Sequence, residues 1–175
     1  MQKKGDIWIS AVLYFGLGIV IITILLAAGL PVINKLRDKN IVIQTKQVMH
    51  TIDQNIREVI KEGPGSQRIV TMNIKKGSFI VDQDGDLLIW AYNGSKILIS
   101  DPGVYVPEGK LTIKTEKAAV KNTYNIQIYS NYSGIADITR PAGKPLTLVG
   151  ITDLVIRNEG LEAGTLKVSI SETNR

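Results

Sequence analysis

The sequence predicts an α+β protein: a long N-terminal helix, half membrane-spanning and half amphipathic, followed by an antiparallel β-sandwich head. Three observations predict it. Residues 7–34 form 28 consecutive positions without one Asp, Glu, Lys, Arg or His. Apolar residues then recur at helical spacing as far as Ile60, and from Gln67 the pattern changes to alternation punctuated by short turn signals. The chain of 175 residues has room for one globular domain plus an appendage, which excludes large multidomain enzymes.

The first segment is too apolar for the core helix of a soluble protein. At ~1.5 Å per residue it reaches roughly 40 Å, more than the ~30 Å of a bilayer core. A cleaved secretory signal has a shorter apolar run with small residues at a cut on its far side. Ala27, Ala28 and Gly29 offer a weak version of that cut, but the apolar character continues through Pro31, Val32 and Ile33. Trp8 suits an interfacial position, and Pro31 is expected to kink or loosen the helix. Lys3 and Lys4 on one side face Lys35, Arg37 and Lys39 on the other, so the positive-inside rule is nearly balanced.

Beyond the polar stretch 34–40, Ile41, Val48, Met49, Ile52, Ile56, Val59 and Ile60 fall on one helical face, and Lys46, Gln47, Asp53, Gln54, Arg57, Glu58 and Lys61 on the other. Gly63 followed by Pro64 is a stop signal. A nearly continuous helix over residues 6–62 is expected, and a head over 67–175.

In the head, strands are expected at 69–74, 78–81, 87–92, 97–100, 104–106, 111–115, 124–129, 146–149, 153–157 and 165–171. Alternation is cleanest where Tyr124, Ile126 and Ile128 oppose Asn125 and Gln127. So many short strands favour a two-sheet sandwich, with the amphipathic half of the helix covering part of one sheet.

The absence of cysteine removes disulfide scaffolds, thiol catalysis and cysteine metal sites. The formal charge of +5 falls to +3 once Lys3 and Lys4 are set aside, and the other basic residues are scattered. No strip interleaves them with aromatics, so no nucleic-acid partner is expected. No phosphate loop or dinucleotide fingerprint is present. His50, the only histidine, has no second ligand nearby in sequence and reads as a solvent or packing residue. Asp101, Asp137 and Asp153 read as turn caps at strand ends. Asp82, Asp84 and Asp86 could supply oxygens to calcium, but position 93 is Asn93 where an EF-hand loop ends in Glu, and an acidic hairpin turn is the simpler reading. Asn93 and Asn131 each open a glycan acceptor triplet. The sequence thus implies no enzyme, no cofactor and no metal.

Lys3, Lys4 and Gly5, an immediate apolar helix without a far-side cut, an amphipathic continuation and a β-rich head together resemble the archaeal type IV pilin-like proteins, the group that includes archaellins and adhesive pilins. The resemblance covers about a third of the chain. It implies a class III leader, residues 1–5, removed by a prepilin peptidase between Gly5 and Asp6. It implies a cytoplasmic N-terminus, a membrane-held precursor, an extracytoplasmic head, and a filament of identical subunits packed through the apolar helix. The glutamate that many pilins carry at the fifth mature position is Ser10 here, so the contact attributed to it is not carried over. Gly16, Gly18, Ala27, Ala28 and Gly29 would allow close helix approach, although small residues are common in membrane helices generally. The alternative is a single-pass membrane protein that displays its β-head as a binding module without polymerising.

Overall fold

The computed structural model describes residues 3–140 and 146–173, the side chains of 3–7 and 146 excepted. Helix α1, Lys3–Glu62, is followed by eight strands: β1 Gln67–Asp82, β2 Leu87–Ser95, β3 Tyr105–Glu108, β4 Leu111–Lys117, β5 Tyr124–Asn131, β6 Asp137–Thr139, β7 Leu146–Glu162 and β8 Thr165–Thr173. The α+β class follows directly. The chain divides into two compact units, Met1–Arg37 and Asp38–Arg175, so the amphipathic half of α1 belongs with the strands.

In the first unit α1 runs on through Pro31. Thr23 fits an apolar helix because its hydroxyl donates back to the Ile19 carbonyl at 2.8 Å.

The second unit starts from an amphipathic helix. Val42, Met49, Ile52, Ile56 and Val59 are buried at spacings of three, four and seven and share one core with the strands. The helix ends at Glu62 because Gly63 takes φ 94°, a conformation that glycine adopts without steric cost. Its last turn is capped from outside: the Val59 carbonyl accepts from the Ser66 hydroxyl at 2.7 Å and from the Asn158 side-chain Nδ2 at 2.9 Å.

The strands form one sheet in the order β3-β4-β5-β2-β1-β7-β8-β6, antiparallel except for the β6–β8 pair. It curls into a half-barrel rather than splitting into the two sheets of the expected sandwich. The physical reason lies in β1 and β7. The expected turn at Lys75, Lys76 and Gly77 is a bulge inside β1, where the ladder to β7 shifts between Ile74 and Phe79. Gly150, opposite Ile74, sits at φ 76°, and Gly77 at φ 79°. Both strands therefore turn a corner together while staying hydrogen-bonded, and what read as four strands are two. Gly77 is required there: a Cβ would lie 2.4 Å from the Ala91 carbonyl oxygen and 2.9 Å from the Trp90 indole nitrogen. That nitrogen donates to the Lys76 carbonyl at 2.9 Å and fastens the corner.

The concave face is built by alternation. Phe79 opposes Trp90, Trp90 opposes Ile128, Val70 opposes Leu154 and Ile156 opposes Ile170, all of them buried. The helix fills this concavity in place of a second sheet.

Two smaller differences have local causes. Residues 97–100, expected as a strand, are irregular: the Ile97 amide donates to the Ser95 hydroxyl, and the Ser100 amide and hydroxyl both donate to the Thr115 hydroxyl. Side chains satisfy this segment instead of a ladder. Strand β6 is three residues long, too short to show a period.

Candidate functional site

The first candidate is the apolar surface of α1 in the first unit. Every Trp, Tyr, Phe, Leu, Ile and Val from Trp8 to Leu36 is between 46% and 76% exposed. Full burial of a side chain of this kind contributes ~1.5–3 kcal/mol, and much of that is unrealised within the isolated chain. By length and composition this helix can cross a membrane. Glycines punctuate the surface: at Gly16, Gly18 and Gly29 a Cβ would meet no atom within 4 Å, so another backbone has room to come close.

The second feature is where the packed half of α1 begins. Asp38 is 3% exposed. Its carboxylate accepts from the Tyr92 hydroxyl at 2.8 Å, the Lys96 amide at 2.7 Å and, more loosely, the Lys76 ammonium at 3.4 Å. The Lys76 ammonium also stands 5.6 Å from the centre of the Tyr92 ring. Burial of the Tyr92 phenol, followed by its bond to Asp38, raises its pKa, so it stays a donor. The hydrogen bond that the Lys76 ammonium donates to the Tyr92 hydroxyl at 3.3 Å raises the pKa of Lys76. Hydrogen bonds to a charged group contribute ~1.5–3 kcal/mol each, so this clasp holds the first packed turn of α1 firmly to β1 and β2.

Asp53, two turns before the helix end, repeats the device. It accepts from the Arg57 guanidinium at 2.9 Å and from the hydroxyl of fully buried Tyr132 at 3.0 Å. Burial, then the Asp53 charge, pushes the Tyr132 pKa far up. The sequence pattern puts Asp53 on the polar face and does not single out Asp38, because charge on a helix reads as solvated; Asp53 is instead buried, held there by the Tyr132 hydroxyl. The signal that could have found them is spacing: Asp38, Val42, Thr45, Met49, Ile52, Asp53 and Ile56 all fall on the buried side.

The residues singled out from sequence are placed as follows. Lys3, Lys4, Gly5 and Asp6 open helix α1, and their side chains lie outside the described residues. Asn93 and Asn131 are exposed, each at a strand end rather than in a loop. The serine that completes the Asn93 triplet, Ser95, is buried with its hydroxyl on Ile97. Asn131 accepts from the Ser133 amide at 2.8 Å.

The acidic turn holds itself together. Asp82 accepts from the amides of Asp84 and Gly85, and Asp86 accepts from the Ile138 amide at 2.9 Å, tying β6 to the β1–β2 hairpin. Among the described residues no three His, Asp or Glu side chains are grouped to hold a metal. Asp101, Asp137 and Asp153 are occupied separately: the Asp101 carbonyl by the Val104 amide, Asp137 by Lys167 and Asp153 by the Thr71 hydroxyl. His50 is exposed, 3.9 Å from where a Cβ of Gly109 would stand. Trp90 is core.

No protein-family model, no curated protein and no solved structure matches the chain.

Proposed function

We propose that this chain is a structural subunit of a type IV pilus-like surface filament, held in the membrane as a precursor and assembled through α1 after leader removal. The observation that carries the reading is the unbroken exposure of the apolar surface from Trp8 to Leu36. A helix apolar all round needs lipid or other apolar helices as its surroundings, and a filament of identical copies supplies the second when the first is left.

In this reading Lys3, Lys4, Gly5 and Asp6 are the processing signal read by a prepilin peptidase, the N-terminus is cytoplasmic and the β-unit is extracytoplasmic. The half-barrel faces outward, with Asn93 and Asn131 as its glycan acceptor positions, and performs no catalysis. The family and its archaeal source are part of the proposal and rest on the sequence resemblance.

Processing provides the test. The cut site accepts a small residue before it, so the bulkier, β-branched valine in Gly5→Val should leave the leader in place. Intact-mass and N-terminal analysis of protein from its own cell should then give a chain starting at Asp6 for the parent and at Met1 for the variant. The parent, and not the variant, should appear in sheared surface material. A native chain that keeps its leader and stays monomeric in the membrane would favour the anchored binding module instead.

A further inference from the structure

The end of the second unit at which the chain joins the apolar segment carries an uncompensated ring of lysines. Four sets of contacts define this end. Lys76 reaches Asp38, and the Lys96 amide is bonded to Asp38. Lys75, at the bulge of β1, and Gln44 line one groove, and Lys39 lies with Ile43 and Leu98 along an open cleft. The same edge continues across the sheet, because Ser95 is opposite Tyr124 and Tyr124 is opposite Lys117. The turn after Lys117 carries Lys121.

Lys39, Lys75, Lys96, Lys117 and Lys121 are all exposed, and none has an ion-pair partner among the described residues. The acids near this edge are largely committed: Asp38 to the clasp and Glu116 to Lys114 at 2.6 Å, with Asp101 the exposed remainder. The opposite end differs. There Arg68 pairs with Glu58 and Glu62, Arg157 with Glu159, and Lys167 with Glu162. Cations are thus mostly paired at one end of the unit, where Lys61 is the exception, and left unpaired at the other.

Apolar tips stand among the unpaired lysines. Leu98 is 48% exposed and Val120 66%. Lysines that keep their ammonium groups in water beside protruding apolar side chains match an anionic lipid surface, with its charged headgroups above an acyl boundary.

We propose that this lysine collar docks the β-unit on the anionic headgroups of the membrane that holds α1. The inference rests on the membrane-held precursor. The position of the collar favours lipid over other partners: Asp38 directly follows the segment that would leave the bilayer, so headgroups are the first surface this edge would meet.

The test uses the full chain reconstituted in vesicles of phosphatidylcholine alone, or of equal parts phosphatidylcholine and phosphatidylglycerol. Amine acetylation of each lysine is followed by mass spectrometry, with Lys61 and Lys167 as references. Lys75, Lys96 and Lys121 should react about fivefold more slowly in the anionic vesicles, and high salt should remove the difference. Replacing these three by glutamine should abolish the lipid dependence of Lys39 and Lys117, whereas replacement by arginine should keep it.

Retention after an alkaline wash is scored in both vesicle types. A chain washed off the neutral vesicles would sink the membrane reading itself. A retained chain with equal rates in both lipids would overturn the collar alone. Protection that also appears in neutral vesicles and grows with protein density would assign the collar to a second copy, and would overturn the lipid proposal too.

Discussion

Trp90→Ala should lower the unfolding free energy of the β-unit by about 3–5 kcal/mol, a large share of the ~5–15 kcal/mol that stabilises an ordinary domain. Trp90 is fully buried, opposes Phe79 on one side and Ile128 on the other, and packs at 5.7 Å between ring centres against Tyr92. Its indole nitrogen also bonds the carbonyl of the bulge at Lys76. Truncation therefore leaves a cavity and frees the corner that lets one sheet wrap the helix. Urea titration of the full chain in detergent, followed by circular dichroism, measures the loss. Amide exchange should quicken first at residues 74–78 and 148–151, the two sides of the corner. A loss under 1 kcal/mol would show that the corner does not depend on this side chain.

The second large effect belongs to the other unit. Ile21 lies near the middle of the uncharged run and is 49% exposed. Ile21→Asp should cost about 3–4 kcal/mol on membrane insertion, roughly a hundredfold to a thousandfold in partition. In a filament the same carboxylate would be buried among apolar side chains without a partner, which is also penalised. The variant should be depleted from alkaline-washed membranes and missing from sheared surface material, while Ile21→Leu behaves as the parent does. If Ile21→Asp reached the surface at parental levels, this part of α1 would be surrounded by neither lipid nor apolar helices.

The elements that could be read in the sequence are those with a strong local cause. The long helix was legible because its apolar run is long and uncharged and its amphipathic continuation is periodic, and its stop was legible because Gly63 and Pro64 act locally. The face of β5 was legible from alternation, with Ile126 and Ile128 buried and Gln127 exposed. The corner was not: Lys75, Lys76 and Gly77 carry the same residues that end a strand, and only the partner strand shows that the ladder survives them. Because β1 and β7 each read as two strands, the count favoured a sandwich, and the helix's role as the inner layer was underestimated.

Asp38 and Asp53 illustrate a second limit. A carboxylate on a helix reads as solvated, and its burial becomes intelligible only when Tyr92, Lys96 and Tyr132 arrive from residues far along the chain. The apolar surface of the first unit, by contrast, needed no tertiary information, because residues 7–34 carry no charge at all.

The account stands on the final neighbours of that surface. A photo-reactive residue placed at Val20, which is 54% exposed, reports them in native material on irradiation. Mass spectrometry of irradiated surface filaments should recover adducts joining residue 20 to peptides from the apolar segment, residues 8–36, of another copy. Adducts to lipid alone, in a chain that never leaves the membrane as an assembly, would contradict it.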